Sequence, residues 1–195
     1  MGTSFKLKRI GILGDIGSGK SFVAKQFGFP VFNADNEVAK LYKKDRKVFN
    51  KLKKILPKYF NSFPINKTQV SNAILANELN LKKIIKIVHL EIKKKMNLFI
   101  KKNRDKKIII LDIPLLIENR INKKNDTLVF IQSKKVDILK RLRKRRNFNL
   151  KLFKKFKKIQ LPLNYKKKKS HFIIINDFKY NSVKIEIKKI LGEVL

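Results

Sequence analysis

Eight consecutive residues constrain this chain more than any other feature: Gly14-Asp15-Ile16-Gly17-Ser18-Gly19-Lys20-Ser21, a full match to the phosphate-loop pattern GxxxxGK[ST]. The spacing has a physical reason. Glycines let the backbone curl so that successive N–H groups point inward at phosphate oxygens. A helix starting near Lys20 adds the positive end of its dipole. Lys20 supplies a compact charge for the outer phosphates, and Ser21 offers a hydroxyl to magnesium. The context fits as well. The apolar run Lys8 to Leu13 reads as a strand, and Lys20 to Phe27 reads as a helix that Gly28 ends. The loop by itself does not separate ATPases, GTPases and kinases.

The remaining pattern extends this opening into a parallel α/β domain. Pro30 to Phe32, Lys107 to Leu111, Thr127 to Ile131 and Phe172 to Ile175 read as strands. Asn36 to Tyr42 reads as a helix. Between residues 65 and 106 no Gly or Pro occurs, and two apolar stripes predict helices: Val70, Ala73, Ile74 and Asn77, then Ile84, Ile85, Val88, Ile92, Met96 and Phe99. Ser133 is a candidate cap for a helix with Val136, Leu139 and Leu142 on one face. Asn149 is a candidate cap for a helix bearing Phe153, Phe156 and Ile159, which Pro162 ends. Asn181 or Ser182 would start a closing helix with Val183, Ile187, Ile190 and Leu191 inward. Strands joined by helices predict about five parallel strands covered on both faces. The expected organisation is one domain over residues 1–195, with a helical acceptor region at about 60–105 and a basic helical lid at about 140–165.

Composition narrows the function classes. The formal net charge is +36, but the lysines are spread along the whole chain. Arginine, the fork that reads bases, occurs only eight times. Lys, Asn and Ile are abundant together, as a global codon bias would give. No specific nucleic-acid partner is therefore expected, although nonspecific attraction at low salt is. Cysteine is absent, which excludes disulfides and thiolate metal sites. No apolar run approaches membrane-spanning length, and the expectation is a cytoplasmic chain with no membrane insertion, a monomer being favoured. Asn66-Lys67-Thr68-Gln69 lacks the aspartate of a guanine-reading segment and lies too early, so a GTPase is not expected.

Several charged residues could carry chemistry. Asp35 follows the second strand. A carboxylate there can orient or deprotonate an acceptor hydroxyl; the alternative is a helix N-cap. Asp112 ends the third strand, where parallel strands face a ligand crevice. It can hold magnesium or serve as a turn residue before Pro114. Glu118 can bind an acceptor group or cap a local turn. Arg141, Arg143, Arg145 and Arg146 hold half of the arginines within six positions. Arg141 and Arg145 are one helical turn apart and would share a face, as a lid closing over a triphosphate requires. The alternative is a solvated charge run. His89 reads as a half-buried helix residue and His171 as structural, with no partners at metal-ligand spacing.

Four blocks together resemble dephospho-coenzyme A kinase, of the P-loop nucleoside and nucleotide kinase group. They are Ile12 to Ser21, Phe32-Asn33-Ala34-Asp35, Leu111-Asp112-Ile113-Pro114-Leu115-Leu116-Ile117-Glu118 and Gln160-Leu161-Pro162-Leu163-Asn164-Tyr165-Lys166. The third is similar to the family's LDVPLLFE and the fourth to its Q.P...K. The resemblance implies transfer of the ATP γ-phosphoryl to the ribose 3′-hydroxyl of dephospho-coenzyme A, with Mg2+. It implies Asp35 as catalytic base, Lys20, Arg141 and Arg145 about the phosphates, and Lys67, His89, Asp112, Leu115 and Glu118 on the acceptor or magnesium side. The chain departs from the family pattern at Lys67, at Leu90 after His89, at Arg146, and at Asn176-Asp177-Phe178, where a glycine is usual. A nucleoside or nucleotide kinase with another acceptor, and a non-enzymatic P-loop RNA-binding protein, are the competing readings.

Overall fold

The computed structural model describes residues 6–145 and 148–195, so Arg146 lies outside the described residues. In chain order the elements are β1 (Lys8–Gly14), α1 (Lys20–Gln26), β2 (Val31–Asn33), α2 (Ala34–Lys44), α3 (Arg46–Ile55), α4 (Lys67–Ala76) and α5 (Glu78–Lys102). They continue with β3 (Ile108–Asp112), β4 (Thr127–Gln132), α6 (Lys135–Arg143), α7 (Leu150–Lys158), α8 (Leu163–Lys169), β5 (Phe172–Ile175) and α9 (Tyr180–Val194). The five strands form one sheet, ordered β2-β3-β1-β4-β5, and every pairing is parallel. The expected α/β fold with a five-stranded parallel sheet flanked by helices is thus the observed one.

The chain divides into two compact units. The first comprises Met1–Asn33, Phe99–Phe148 and Gln160–Leu195 and contains the whole sheet. Alternate strand residues point to one face, where Ile10 and Ile12, Ile108 and Ile110, Val129 and Ile131, and Ile174 pack against α1 and α9. Val23, Ala24 and Phe27 of α1 and Val183, Ile187, Ile190 and Val194 of α9 complete this core. The three isoleucines and the leucine of β3 are all buried, on both faces, as a central parallel strand requires. At the N-terminal end of the sheet Arg9 is buried on Asp126 at 2.8 Å.

The second unit comprises Ala34–Leu98 and Asn149–Ile159 and is helical. Asp45 caps α3 by accepting from the Val48 amide at 3.0 Å. Asn66 and Gln69 form a reciprocal capping box on α4. Leu81, Ile84, Val88, Ile92 and Met96 are buried along α5 at spacings of three and four. Asn149 caps α7 through the Leu152 amide at 3.0 Å, as expected.

Several local expectations are corrected. Asn77 does not continue the α4 stripe: its backbone is extended, and its side chain accepts from Leu79 N at 2.8 Å, which separates α4 from α5. Ser133 does not cap α6, which starts after Lys134 with no side-chain cap. The inward residues of α6 are Ile138 and Leu142, whereas Val136 is 71% exposed. Neither Asn181 nor Ser182 opens α9. Lys179 precedes it, and Asp177 accepts from Lys179 N and Ser182 Oγ. Pro162 starts α8, and α3 is a further helix, with Val48, Phe49 and Leu52 on its buried face.

Candidate active site

The phosphate loop occupies the C-terminal end of β1, with β3 on one side and β4 on the other. Gly17 (φ 87°) and Gly19 (φ 89°) take left-handed backbone that other residues adopt at a cost. Space is short at both. A Cβ on Gly17 would stand 3.0 Å from Ile138 Cγ2 and from Leu142 Cγ, and one on Gly19 would run into Asn176 and Phe178. The loop is clamped from outside as well. The Ser18 carbonyl accepts from Ser133 Oγ at 2.9 Å and from Asn176 Nδ2 at 2.8 Å. Ser133 therefore holds the loop instead of capping a helix. Within the loop, Lys20 Nζ donates to the carbonyl of Asp15 at 2.7 Å and to that of Gly14 at 3.4 Å. The Asp15 carboxylate accepts from the Ile16 amide at 2.7 Å.

Beside the loop, β2 and β3 bring a second group together. Their register pairs Asn33 with Asp112 at the strand ends. Asn33 Nδ2 donates to Asp112 Oδ2 at 2.5 Å and lies 3.4 Å from Ser21 Oγ. Asp112 is 2% exposed. A hydroxyl and a carboxylate thus converge on one amide. Hard oxygen donors of this kind suit magnesium, which keeps several waters and takes few protein ligands. Asn33 was absent from the expected site residues, although it lies inside the Phe32-Asn33-Ala34-Asp35 block; strand register, invisible in sequence, gives it its place.

After Asp112 the chain folds into a tight turn. Leu115 has φ 59°, and the amides of Asn119 and Ile121 bond back to the carbonyls of Leu115 and Leu116. Leu116 is 1% exposed and sits against β1 where a side chain is missing: a Cβ on Gly11 would stand 2.5 Å from Leu116 Cδ2. Glu118 is directed inward, to Lys166 of α8.

On the opposite side of β1, α6 and the β5–α9 connection flank the loop. Asn176 is 1% exposed, and its Oδ1 accepts from Phe178 N at 2.9 Å. Phe178 has φ 65°, in the segment Asn176-Asp177-Phe178 that departs from the expected pattern by lacking a glycine. An aromatic residue there carries backbone strain of roughly 1–2 kcal/mol. Its ring lies against Gly19 and under Arg141, whose Cζ is 4.1 Å from the ring centroid. Arg141 and Arg145 do not lie on one continuous helix: α6 ends at Arg143, and Arg145 lies in a bend beyond it, its amide bonded to the Leu142 carbonyl at 3.1 Å. His171 Nδ1 accepts from Leu128 N at 2.9 Å, consistent with a structural part.

Asp35, Lys67 and His89 belong to the second unit. Asp35 stands in the first turn of α2, which begins at Ala34, so it is no N-cap. Its carboxylate favours that helix end. It is exposed, as is Lys67 at the first position of α4. His89 is half-buried; burial, reinforced by Lys93, holds its pKa below the ordinary imidazole value. His89 Nε2 has no partner among the described residues.

Comparison with known proteins identifies the family and the fold. The dephospho-CoA kinase family profile matches residues 8–182. A dephospho-CoA kinase of Wolbachia pipientis is 33% identical over 190 residues, 95% of this chain and 97% of its own. That of Rickettsia felis is 31% identical over 185 residues, 93% of this chain and 95% of its own. A solved structure from Thermus thermophilus superposes with a TM-score of 0.79 at 22% identity, covering 97% of this chain and 99% of its own, a likeness of fold.

Proposed function

The chain belongs to the dephospho-CoA kinase family, and on that premise we propose how its residues divide the work of an ATP-dependent kinase that converts dephospho-CoA into CoA, with ADP released. The observation that carries the reading is the clamped phosphate loop with Ser21, Asn33 and Asp112 gathered at its edge. Loop amides from Gly14 to Ser21 bind the phosphate tail. Lys20 exchanges the carbonyls of Gly14 and Asp15 for outer phosphate oxygens and neutralises their charge. Ser21 and Asp112 would hold magnesium, with Asn33 orienting the carboxylate. Bound there, the ion neutralises charge that develops on the phosphates.

The acceptor is the ribose 3′-hydroxyl. Asp35, two positions after the end of β2, orients that hydroxyl and takes its proton as the phosphoryl group moves. Lys67, His89 and Leu115 contact the acceptor, and Arg145 joins Arg141 over the phosphates as the lid closes. Closure excludes water, which limits wasteful ATP hydrolysis. Among the described residues no helix is long and apolar enough to cross a membrane. Magnesium-dependent ADP release, measured with dephospho-CoA and with a panel of nucleosides, tests the reading. Turnover with dephospho-CoA is expected. Turnover with a nucleoside and none with dephospho-CoA would overturn it.

A further inference from the structure

The turn after Asp112 and α8 are locked together by a buried charge pair, which turns Glu118, expected on the acceptor side, onto Lys166, a residue the kinase reading leaves unused. Lys166 Nζ lies 2.5 Å from Glu118 Oε1, with the two side chains 3% and 8% exposed. The same oxygen accepts from the Leu161 amide at 3.2 Å. One carboxylate oxygen therefore gathers the ammonium of α8 and the backbone just ahead of it. The other oxygen, Oε2, is buried with no partner among the described residues, as is Gln160 Oε1.

Energetics argue against a simple stabilising role. Removing two charges from water costs about as much as their attraction returns, so an apolar pair of the same volume would stabilise at least as well. What such a pair supplies is a fixed geometry, because leaving either charge unpaired is strongly unfavourable. The geometry fixed here is that of residues 113–121. Leu116 anchors the turn onto Gly11 of β1, and backbone bonds close it. Glu118 then ties its far end to α8. Sheet order places this turn away from α6 and the Phe178 connection: it follows β3, next to β2, whereas those follow β4 and β5.

We infer that Lys166 is a positioning residue for the acceptor: through Glu118 it holds the turn carrying Leu115, while Glu118 itself faces the protein interior. The inference rests on the dephospho-CoA kinase reading. Lys166→Met leaves Glu118 buried without its counter-charge. The KM for dephospho-CoA should rise at least about tenfold, since small displacements of positioning groups cost up to about a hundredfold, while the KM for ATP stays within about twofold. The double variant Glu118→Gln with Lys166→Met removes both charges. It should recover most of any lost thermal stability yet keep the raised acceptor KM, and it carries the test if the single variant does not fold. Return of the double variant to the wild-type acceptor KM would reduce the pair to a structural contact and overturn the inference. So would an equal rise in both KM values in either variant. If the unsubstituted protein released no ADP with dephospho-CoA, the kinase reading would fall and take the inference with it; with that turnover intact, the variants judge the inference alone.

Discussion

The two units hold their chemistry in different ways. In the first, the groups that brace the phosphate loop are buried, Ser18 being 0%, Asn176 1% and Asp112 2% exposed, while Lys20 is half-buried and Ser21 exposed on that frame. Each brace reaches its place through strand register or a loop clamp. In the second, Asp35 and Lys67 are exposed side chains in the first turns of helices. A preorganised cradle suits a phosphate tail whose charge is present before and after reaction. Exposed groups on helix starts suit a partner that must enter, react and leave. The contrast teaches that binding of the triphosphate and activation of the hydroxyl should be separable by mutation.

The largest expected effect lies in the cradle. Lys20→Ala removes the ammonium proposed to serve the outer phosphates and should lower kcat/KM about 10²–10³-fold, checked by steady-state ADP release; a loss below tenfold would break the contrast. Asn33→Ala frees the Asp112 carboxylate from its amide. A loss of about 10–100-fold is expected, and raising the magnesium concentration should recover part of it. A smaller change tests the other flank. Phe178→Ala removes the ring under Arg141. Loss of a cation–π contact worth about 0.5–2 kcal/mol should raise the KM for ATP and leave that for dephospho-CoA unchanged.

The smallest effect concerns pH. Burial depresses the His89 pKa in the folded state, so the unfolded chain binds the proton more readily. Stability from this group is therefore present above the unfolded histidine pKa and falls as pH drops through it. Melting temperature should decline between neutral and mildly acidic pH, and His89→Gln should flatten that decline.

The sequence made the first unit far more legible than the second. GxxxxGK[ST] between an apolar run and a helical pattern named the cradle, because backbone curvature and phosphate charge both demand those residue types. Asp112 was legible as the end of a strand. Asn33 was not, since its meeting with Asp112 depends on two strands that pair 79 residues apart. Ser133 and Asn176 escaped for the same reason: both act on Ser18 from distant segments. In the second unit, α3 buries only Val48, Phe49 and Leu52, too short a stripe to stand out among its lysines, and the spacing of the α4 stripe carried it one residue too far, through Asn77. The arginine pair misled in a different way. Spacing of four implies a shared face only while the helix continues, and α6 stops at Arg143.

Asp35→Asn offers the most direct test that the cradle binds and the carboxylate activates. Calorimetric titration with ATP and steady-state turnover with dephospho-CoA should be measured on the same preparation. Retained ATP affinity, with turnover down about 10²–10⁴-fold, is the predicted result. A parallel fall in both, or turnover within a few-fold of the unsubstituted protein, would contradict the account.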